Sequence, residues 1–304
     1  MSDQPVLHVR TPLLESRPIS RQVGKTVYLK MEAWQPCASF KIRGLGRLCV
    51  EARARGLTRF VSSSGGNAGY AVAFAGRRLG VPVTVVVPET TSPAMRRVLE
   101  DEGAEVVVHG DVWDEADRCA RELAADEHTL YAPPFDHPTL FAGHATLVEE
   151  WPEALEKPDA VLLSVGGGGL FCGVVEGLRA KGWTDTPVYA AETEGAASFA
   201  AALKAGAPID IGRITSKAKT LGARMVCARS VELAKLQPVH SVLVTDDEAF
   251  AACRRLAETH RVLVELSCGA ALAPLLEGRL PDELRSVMVV VCGGAAPPEG
   301  LLAD

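Results

Sequence analysis

The sequence predicts an α/β fold in which buried parallel strands are flanked by helices. Short runs rich in β-branched residues alternate along the chain with longer, alanine-rich amphipathic segments. The apolar runs do not alternate with polar residues, which indicates strands buried on both faces, as in a parallel sheet. Glycine-rich loops follow two of these strands, and ligands of such sheets bind beyond the carboxyl ends of the strands.

The predicted elements follow one another in strand–helix order. Runs of valine, alanine and leucine, bounded by glycine, proline or polar residues, predict strands at residues 58–62, 83–87, 105–109, 160–165, 188–192, 241–244 and 287–291. Segments with apolar residues three or four positions apart predict helices between the first of these strands, at residues 68–79, 93–102 and 113–125.

Composition excludes several classes of function. The chain has 304 residues, of which 47% are hydrophobic and 23% charged, and this predicts two domains or one large α/β domain. The net charge is −6, and without a basic cluster we expect no nucleic-acid partner. No apolar stretch reaches about 18 residues, so we expect no membrane span. Residues 1–10 lack the apolar core of a signal peptide, so we predict a cytoplasmic protein.

Eight cysteines are present, and none forms a C-x-x-C pair. Most of them lie in apolar runs. This pattern favours reduced, buried thiols over a zinc site or a disulfide framework.

The strand at 160–165 is followed by four consecutive glycines, Gly166–Gly169, and a helix is predicted to begin near Gly169 or Leu170. Without Cβ atoms, the backbone N–H groups can converge on one anion, and the helix dipole favours negative charge there. A phosphate is the natural ligand. The loop does not match the Walker A motif, which requires Lys-Ser/Thr after its glycines. It does not match the Rossmann motif either, because Phe171 stands where that motif requires glycine. The alternative is a tight turn, although turns rarely need four glycines.

A second loop between a strand and a helix, residues 62–69, contains three serines, three glycines and Asn67. Hydroxyls, backbone amides and a helix N-terminus would together suit a small carboxylate. The alternative is that Ser64 or Asn67 only caps the following helix. Capping explains one such residue but not the whole run.

Lys41 lies between Phe40 and Ile42, just before a predicted helix. Burial lowers the pKa of a lysine, and a neutral amine is what Schiff-base chemistry requires. Taken alone, a lysine in this setting more often extends to the surface. Together, however, a phosphate cradle, a carboxylate cradle and a semi-buried lysine are the parts of a pyridoxal-phosphate (PLP) enzyme that acts on an amino acid.

The chain resembles the serine/threonine dehydratase family from about His8 to Gly294, and most closely its serine dehydratase branch, including the serine-dehydratase-like members. The segments that carry the resemblance are residues 39–44, 63–69, 131–136, 143–145, 166–169, 192–193, 263–265 and 291–294. The resemblance implies two open, twisted, mostly parallel sheets flanked by helices. This is PLP fold type II, the fold of the tryptophan-synthase β-subunit.

The resemblance also implies a role for each matching residue. Lys41 is the Schiff-base lysine and the catalytic base. The cofactor-binding residues that it implies are Phe40, Lys41, Asn67, Gly166, Gly167, Gly168, Gly169, Leu170, Thr220 and Cys292. Those implied for the substrate carboxylate are Ser64, Gly65, Gly66, Asn67 and Ala68. Those implied for a monovalent cation, K⁺ for example, are Gly168, Glu192, Ala196, Leu221 and Ala223.

The activity implied is PLP-dependent α,β-elimination of L-serine, and of L-threonine, to pyruvate or 2-oxobutanoate and ammonia. The alternatives are another fold-type-II lyase or transferase, such as threonine deaminase proper or threonine synthase, and a weakly active amino-acid-binding homologue. Gly65 stands where many dehydratases have alanine and serine racemases have serine, so we expect weak racemisation.

The resemblance implies a division into two domains with the cofactor between them. The large, phosphate-binding domain would comprise residues 1–31 and 137–304. The small domain would comprise residues 32–136, which carry Lys41 and the loop at residues 62–69, called the substrate loop below. A homodimer is implied as well.

Overall fold

The computed structural model describes residues 4–296 and 298–301. Its strands are β1 (Leu13–Glu15), β2 (Thr26–Lys30), β3 (Arg59–Ser62), β4 (Val83–Val87), β5 (Glu105–Val108), β6 (Thr129–Tyr131), β7 (Ala160–Ser164), β8 (Val188–Thr193), β9 (Val239–Val244) and β10 (Ser286–Val290). Its helices are α1 (Arg17–Val23), α2 (Lys41–Ala54), α3 (Asn67–Leu79), α4 (Pro93–Asp101), α5 (Trp113–Leu123), α6 (Pro138–Glu149), α7 (Gly169–Ala180), α8 (Ser198–Ala205), α9 (Ala228–Ala234), α10 (Asp246–His260) and α11 (Leu266–Leu276). Short 3-10 turns occur at Glu32–Trp34 and Lys219–Leu221.

The strands form two sheets. The six-stranded sheet has the order β1-β2-β10-β7-β8-β9, and the four-stranded sheet has the order β5-β4-β3-β6. Every neighbouring pair is parallel except β1 and β2. The predicted α/β class with two mostly parallel sheets is therefore confirmed.

The central strands are buried along their whole length, as their continuous apolar runs predict. All residues of β4, β7 and β8 are buried, and helices pack on the sheets. The seven predicted strands and three predicted helices are present with ends that differ by at most two residues. Strands β1, β2 and β6 were not predicted, because they are short or carry polar residues.

Three loops follow the carboxyl ends of buried parallel strands. The loop at residues 63–66 follows β3, the four glycines follow β7, and Cys292 comes just after β10. β10 pairs with β7, so the last two lie side by side. Ser39 pairs with Gly293 through an isolated bridge, and this holds the start of α2 at the same edge. This edge is where parallel sheets bind ligands.

All eight cysteines are free thiols, and all but Cys119 are buried. Within the described residues, no helix is both long and apolar enough to cross a membrane.

Candidate active site

Lys41 is the first residue of α2, and its partly buried side chain lies among the three loops. Its Nζ donates a hydrogen bond to the carbonyl oxygen of Pro134 at 2.6 Å. The same nitrogen lies 5.1 Å from the centre of the Phe40 ring. Burial lowers the pKa of Lys41 to about 8, against the pull of Cys292 and Glu265. The amine therefore gains or loses a proton close to neutral pH.

The ring of Phe40 packs against the imidazole of His144. The two rings meet edge to face with centroids 4.8 Å apart. Burial holds the pKa of His144 well below its ordinary value, so the imidazole is neutral. Neither of its ring nitrogens has a hydrogen-bond partner among the described residues. The imidazole of His144 therefore serves as a packing surface for the Phe40 ring.

The thiol of Cys292 lies at the end of β10 in a buried group of sulfur and hydroxyl atoms. Its Sγ is 3.5 Å from the Cys268 Sγ, and 3.6 Å from both the Ser164 Oγ and the Ser267 Oγ. The carbonyl oxygen of Cys292 accepts the N–H of Phe40 at 3.0 Å. The segment before Lys41 is thereby tied to the thiol-bearing strand end.

The four-glycine loop has no room for side chains. A Cβ on Gly167 would overlap the ring of Phe135, and one on Gly169 would lie 2.7 Å from the Phe135 carbonyl oxygen. Gly168 has a φ of +93°, in the left-handed region that favours glycine. Steric crowding and backbone conformation thus both require the glycines.

Backbone N–H groups of this loop are available to a ligand. Among the hydrogen bonds of the described residues, none joins an N–H of Gly166–Leu170 to a protein acceptor. On either side, by contrast, Val165 donates to Ala191 and Cys172 donates to Gly168. Unpaired N–H groups at the start of α7 are the pattern of an anion site.

The substrate loop ends at the N-terminus of α3. The N–H of Gly66 bonds the Ser64 Oγ at 3.3 Å, while the N–H groups of Gly65, Asn67 and Ala68 have no protein acceptor among the described residues. A Cβ on Gly65 would overlap the hydroxyl of Thr91 and lie 2.8 Å from its methyl group. Thr91 therefore fills the space of the side chain that Gly65 lacks.

Asn67 is buried, and its amide is paired with Glu265. Its Nδ2 donates to both carboxylate oxygens of Glu265, each at 2.9 Å. Its Oδ1 has no hydrogen-bond partner among the described residues. Burial raises the pKa of Glu265, while the hydrogen bond from Asn67 acts in the opposite direction. A buried acceptor without a donor indicates that a ligand completes the site.

A hydrogen-bonded cluster of Asp117, Tyr131 and Arg121 supports the substrate loop at Ser63. The Ser63 hydroxyl donates to the Asp117 carboxylate at 2.6 Å, and the Tyr131 hydroxyl donates to the same oxygen. Arg121 bonds the other carboxylate oxygen at 2.8 Å. Burial raises the pKa of Asp117, but these three hydrogen bonds outweigh burial, and the pKa is lowered.

Of the residues that the resemblance implies for a cation, Gly168 belongs to the glycine loop and Leu221 lies against Gly166. Glu192 is buried at the end of β8, and its oxygens accept the N–H groups of Phe199 and Ala200 at 2.7 and 2.8 Å. Burial raises the pKa of Glu192 to about 7. The described residues hold no cluster of three His, Cys, Asp or Glu side chains that could bind a metal. A cation here would need backbone carbonyl oxygens, and the cation site stays a prediction.

The arrangement fits pyridoxal phosphate. The loop without side chains offers free N–H groups for a phosphate, and the orphaned Asn67 Oδ1 and the Lys41 amine lie among the same loops. A cavity of about 500 Å³ borders Thr220 and Glu265 on the side of residues 217–219 and 246–250, and neither Lys41 nor the four glycines line it.

Sequence reasoning missed four residues of this site, namely Pro134, Phe135, Glu265 and Thr91. The first three belong to segments that resemble the family, yet none was given a role. A signal for Glu265 was present, because an acidic residue between Val264 and Leu266 is unusual in an apolar run. Phe135 and Thr91 became evident only from their contacts with glycines.

A family model described as pyridoxal-phosphate dependent enzyme matches residues 6–293. The chain is 48% identical to the L-serine dehydratase/L-threonine deaminase of Homo sapiens over 306 residues, which cover 97% of this chain and 93% of the relative. It is 50% identical to the serine dehydratase-like protein of Mus musculus over 297 residues, which cover 94% and 90%.

Among solved structures, a fungal L-serine ammonia-lyase from Rhizomucor miehei superposes with a TM-score of 0.91 at 35% identity, covering 96% of each chain. Threonine deaminase isoform 2 from Solanum lycopersicum superposes with a TM-score of 0.89 at 27% identity, covering 98% of this chain and 83% of the other. Both similarities extend over nearly the whole chain, so they include the three loops.

Proposed function

Because the chain belongs to the family of pyridoxal-phosphate dependent enzymes, we propose that it converts L-serine to pyruvate and ammonia, and L-threonine to 2-oxobutanoate and ammonia. The observation that carries the proposal is Lys41, an amine of lowered pKa that bonds the carbonyl oxygen of Pro134, next to the Phe135 ring that packs on Gly167 of the glycine loop. Relatives named for serine dehydratase and threonine deaminase support this choice of substrates.

The cofactor would be held by residues from all three loops. Lys41 would bind it covalently, and the residues proposed for its phosphate are Gly166, Gly167, Gly168, Gly169 and Leu170. Those proposed for its ring are Phe40 and Thr220 at the faces, Asn67 at the 3′-oxygen and Cys292 at the pyridine nitrogen. When bound, pyridoxal phosphate accepts the electrons that remain as the Cα–H bond breaks.

Lys41 would act as the base that removes the Cα proton. A general base works best when its pKa lies near the working pH, and burial brings the pKa of Lys41 to about 8. The carbonyl oxygen of Pro134 and the ring of Phe40 hold the amine in place. A fixed, partly neutral amine can take the proton and return it later in the reaction.

The substrate carboxylate would bind at the loop before α3. Ser64, Gly65, Gly66, Asn67 and Ala68 offer a hydroxyl and backbone N–H groups at a helix N-terminus, where negative charge is favoured. Gly65 has no group that could transfer a proton, so elimination is favoured over racemisation. The Cys292 thiol, as a weak acid, would leave the pyridine nitrogen unprotonated, which suffices for β-elimination and disfavours transamination.

We also propose a monovalent cation, K⁺ for example, bound by Gly168, Glu192, Ala196, Leu221 and Ala223. The chain would divide into a large domain of residues 1–31 and 137–304 and a small domain of residues 32–136. It would act as a homodimer in the cytoplasm. The six-stranded sheet draws its strands from residues 13–30 and 160–290, and the four-stranded sheet from residues 59–131, which supports this division.

The test is keto-acid release by the purified holoenzyme from L-serine and L-threonine, with K⁺ and with a non-binding organic cation in its place. We expect release from both amino acids and a higher rate with K⁺. Release from neither, together with turnover of another β-substituted amino acid, would favour a different lyase or transferase of this fold. Binding of serine without any turnover would favour an amino-acid-binding homologue.

A further inference from the structure

Glu265 joins two parts of the chain that are far apart in sequence. It lies directly before α11, is buried, and contacts Asn67 at the start of α3, 198 residues away. Further donors reach the same carboxylate, among them the Thr220 hydroxyl. The N–H of Ala296 donates to Oε1 at 3.2 Å, and the Ser267 hydroxyl donates to Oε2 at 3.3 Å. Within the described residues, Asn67, Ala296 and Ser267 thus each donate a hydrogen bond to the Glu265 carboxylate.

Burial raises the pKa of Glu265, but donors from Asn67, Ala296 and Ser267 face both of its oxygens, and this pattern favours the ionised form. An ionised carboxylate only accepts hydrogen bonds, whereas a side-chain amide donates at one end and accepts at the other. The nitrogen of Asn67 must therefore face Glu265. The reverse orientation would bring the amide oxygen against two carboxylate oxygens, and these atoms would repel each other. The amide of Asn67 is thus fixed in one of its two orientations, although a lone asparagine could adopt either.

The Asn67–Glu265 pair lies next to the segment that carries Cys292. A Cβ on Gly293 would lie 3.2 Å from the Asn67 Nδ2 and 3.4 Å from the Glu265 Oε2, so the pair lies against the segment that follows Cys292. On the other side, the Asn67 Oδ1 is buried without a partner among the described residues. The free end of the amide is therefore left for a ligand.

We propose that Glu265 is a positioning residue that fixes the side-chain amide of Asn67 in the one orientation that receives the cofactor. The proposal rests on the cofactor site of the proposed function, but not on the identity of the amino-acid substrate. Glu265 acts through Asn67, so its effect on the cofactor should vanish when the Asn67 amide is removed.

Glu265→Gln tests this with a side chain of nearly the same size. Glutamine can donate or accept, so it permits both orientations of the Asn67 amide. We expect the visible spectrum of the holoenzyme to change shape and the cofactor to leave about tenfold faster, because a hydrogen bond to a charged group is lost. Glu265→Asp retains a carboxylate and should restore most of the spectrum.

Two further variants separate positioning from general destabilisation. Glu102→Gln alters a remote carboxylate that pairs with Arg77 at 2.6 Å, and the cofactor spectrum should not change. In the Asn67→Ala background, adding Glu265→Gln should change neither the spectrum nor the rate of cofactor loss. Equal, additive effects of Glu265→Gln in both backgrounds would overturn the proposal.

If Asn67→Ala does not yield folded protein, the Glu265→Gln and Glu265→Asp variants still test the proposal. An unchanged spectrum and cofactor release rate in Glu265→Gln, with normal folding by circular dichroism, would contradict the proposal. Equal loss of the spectrum in the Gln and Asp variants would do the same. Failure of the serine reaction in the wild-type holoenzyme would refute the proposed function alone, since the cofactor readouts do not depend on it.

Discussion

The two loops that follow β3 and β7 occupy equivalent places in their sheets, yet they are built in opposite ways. The β7 loop contributes only backbone, because neighbouring atoms occupy the positions that side chains would take. The β3 loop contributes side chains as well as backbone N–H groups, and two of these side chains are fixed by carboxylates, Ser63 by Asp117 and Asn67 by Glu265.

The difference matches what each loop is proposed to bind. A phosphate has several equivalent oxygens, so converging N–H groups at a helix N-terminus hold it without any need for orientation. A ring oxygen and a substrate carboxylate must be placed in a defined direction relative to Lys41, and oriented side chains provide that direction. Changes in the β7 loop should therefore release the cofactor, while changes in the β3 loop should loosen it less and mainly alter how it reacts.

The largest expected effect is that of Gly167→Ala. The added methyl group would overlap the Phe135 ring, and overpacking of this kind costs roughly 1–3 kcal/mol. We expect loss of the visible cofactor band and a Tm lower by several degrees. Gly66→Ala in the β3 loop is the matched variant, since its Cβ would meet nothing within 4 Å, and it should retain the cofactor. Equal cofactor loss in both variants would break the comparison.

A smaller effect is expected for Gly65→Ala, in which the new Cβ would overlap the Thr91 hydroxyl. The side chain of Thr91 can move in part, so the loop should shift without unfolding. We expect the KM for L-serine to rise severalfold, with cofactor content unchanged. Thr91→Ala removes both overlapping atoms, and the double variant should recover the wild-type KM. No recovery would show that the two residues are not coupled.

The smallest expected effect is that of Asp117→Asn, which weakens the support behind Ser63. The lost hydrogen bonds should lower the free energy of unfolding by about 1–2 kcal/mol. The folded-state pKa of Asp117 is lowered, so its stabilisation is fully present above the unfolded value of about 3.9. The stability difference between variant and wild type should therefore shrink as the pH falls through the folded pKa. Urea unfolding at several pH values measures it, and a difference independent of pH would contradict this account.

Much of the fold could be predicted from sequence because buried parallel strands leave a local signal. The run Val83–Val87 is wholly apolar and forms β4 as expected. The sequence does not predict β2, because this strand ends in Lys30, a buried charge that pairs with Glu150. That partner is 120 residues away, and local patterns do not contain such information.

The candidate site also combines features with a local sequence signal and features that depend on residues far apart in sequence. The glycine loop and Lys41 could be recognised, since each carries its chemistry in consecutive residues. The partnership of Asn67 with Glu265, and the packing of Phe135 on Gly167, depend on tertiary contacts. Sequence therefore identified what the loops contain, while only the structure identified what holds them in position.

The most direct test of the central claim is the variant Lys41→Ala. We predict that it loses both the visible band of the bound cofactor and all keto-acid release from L-serine, while remaining folded. Lys157→Ala, at an exposed lysine that pairs with Asp185, should retain both properties. If the Lys41→Ala protein kept the cofactor band and the activity of the wild type, the assignment of Lys41 would be wrong.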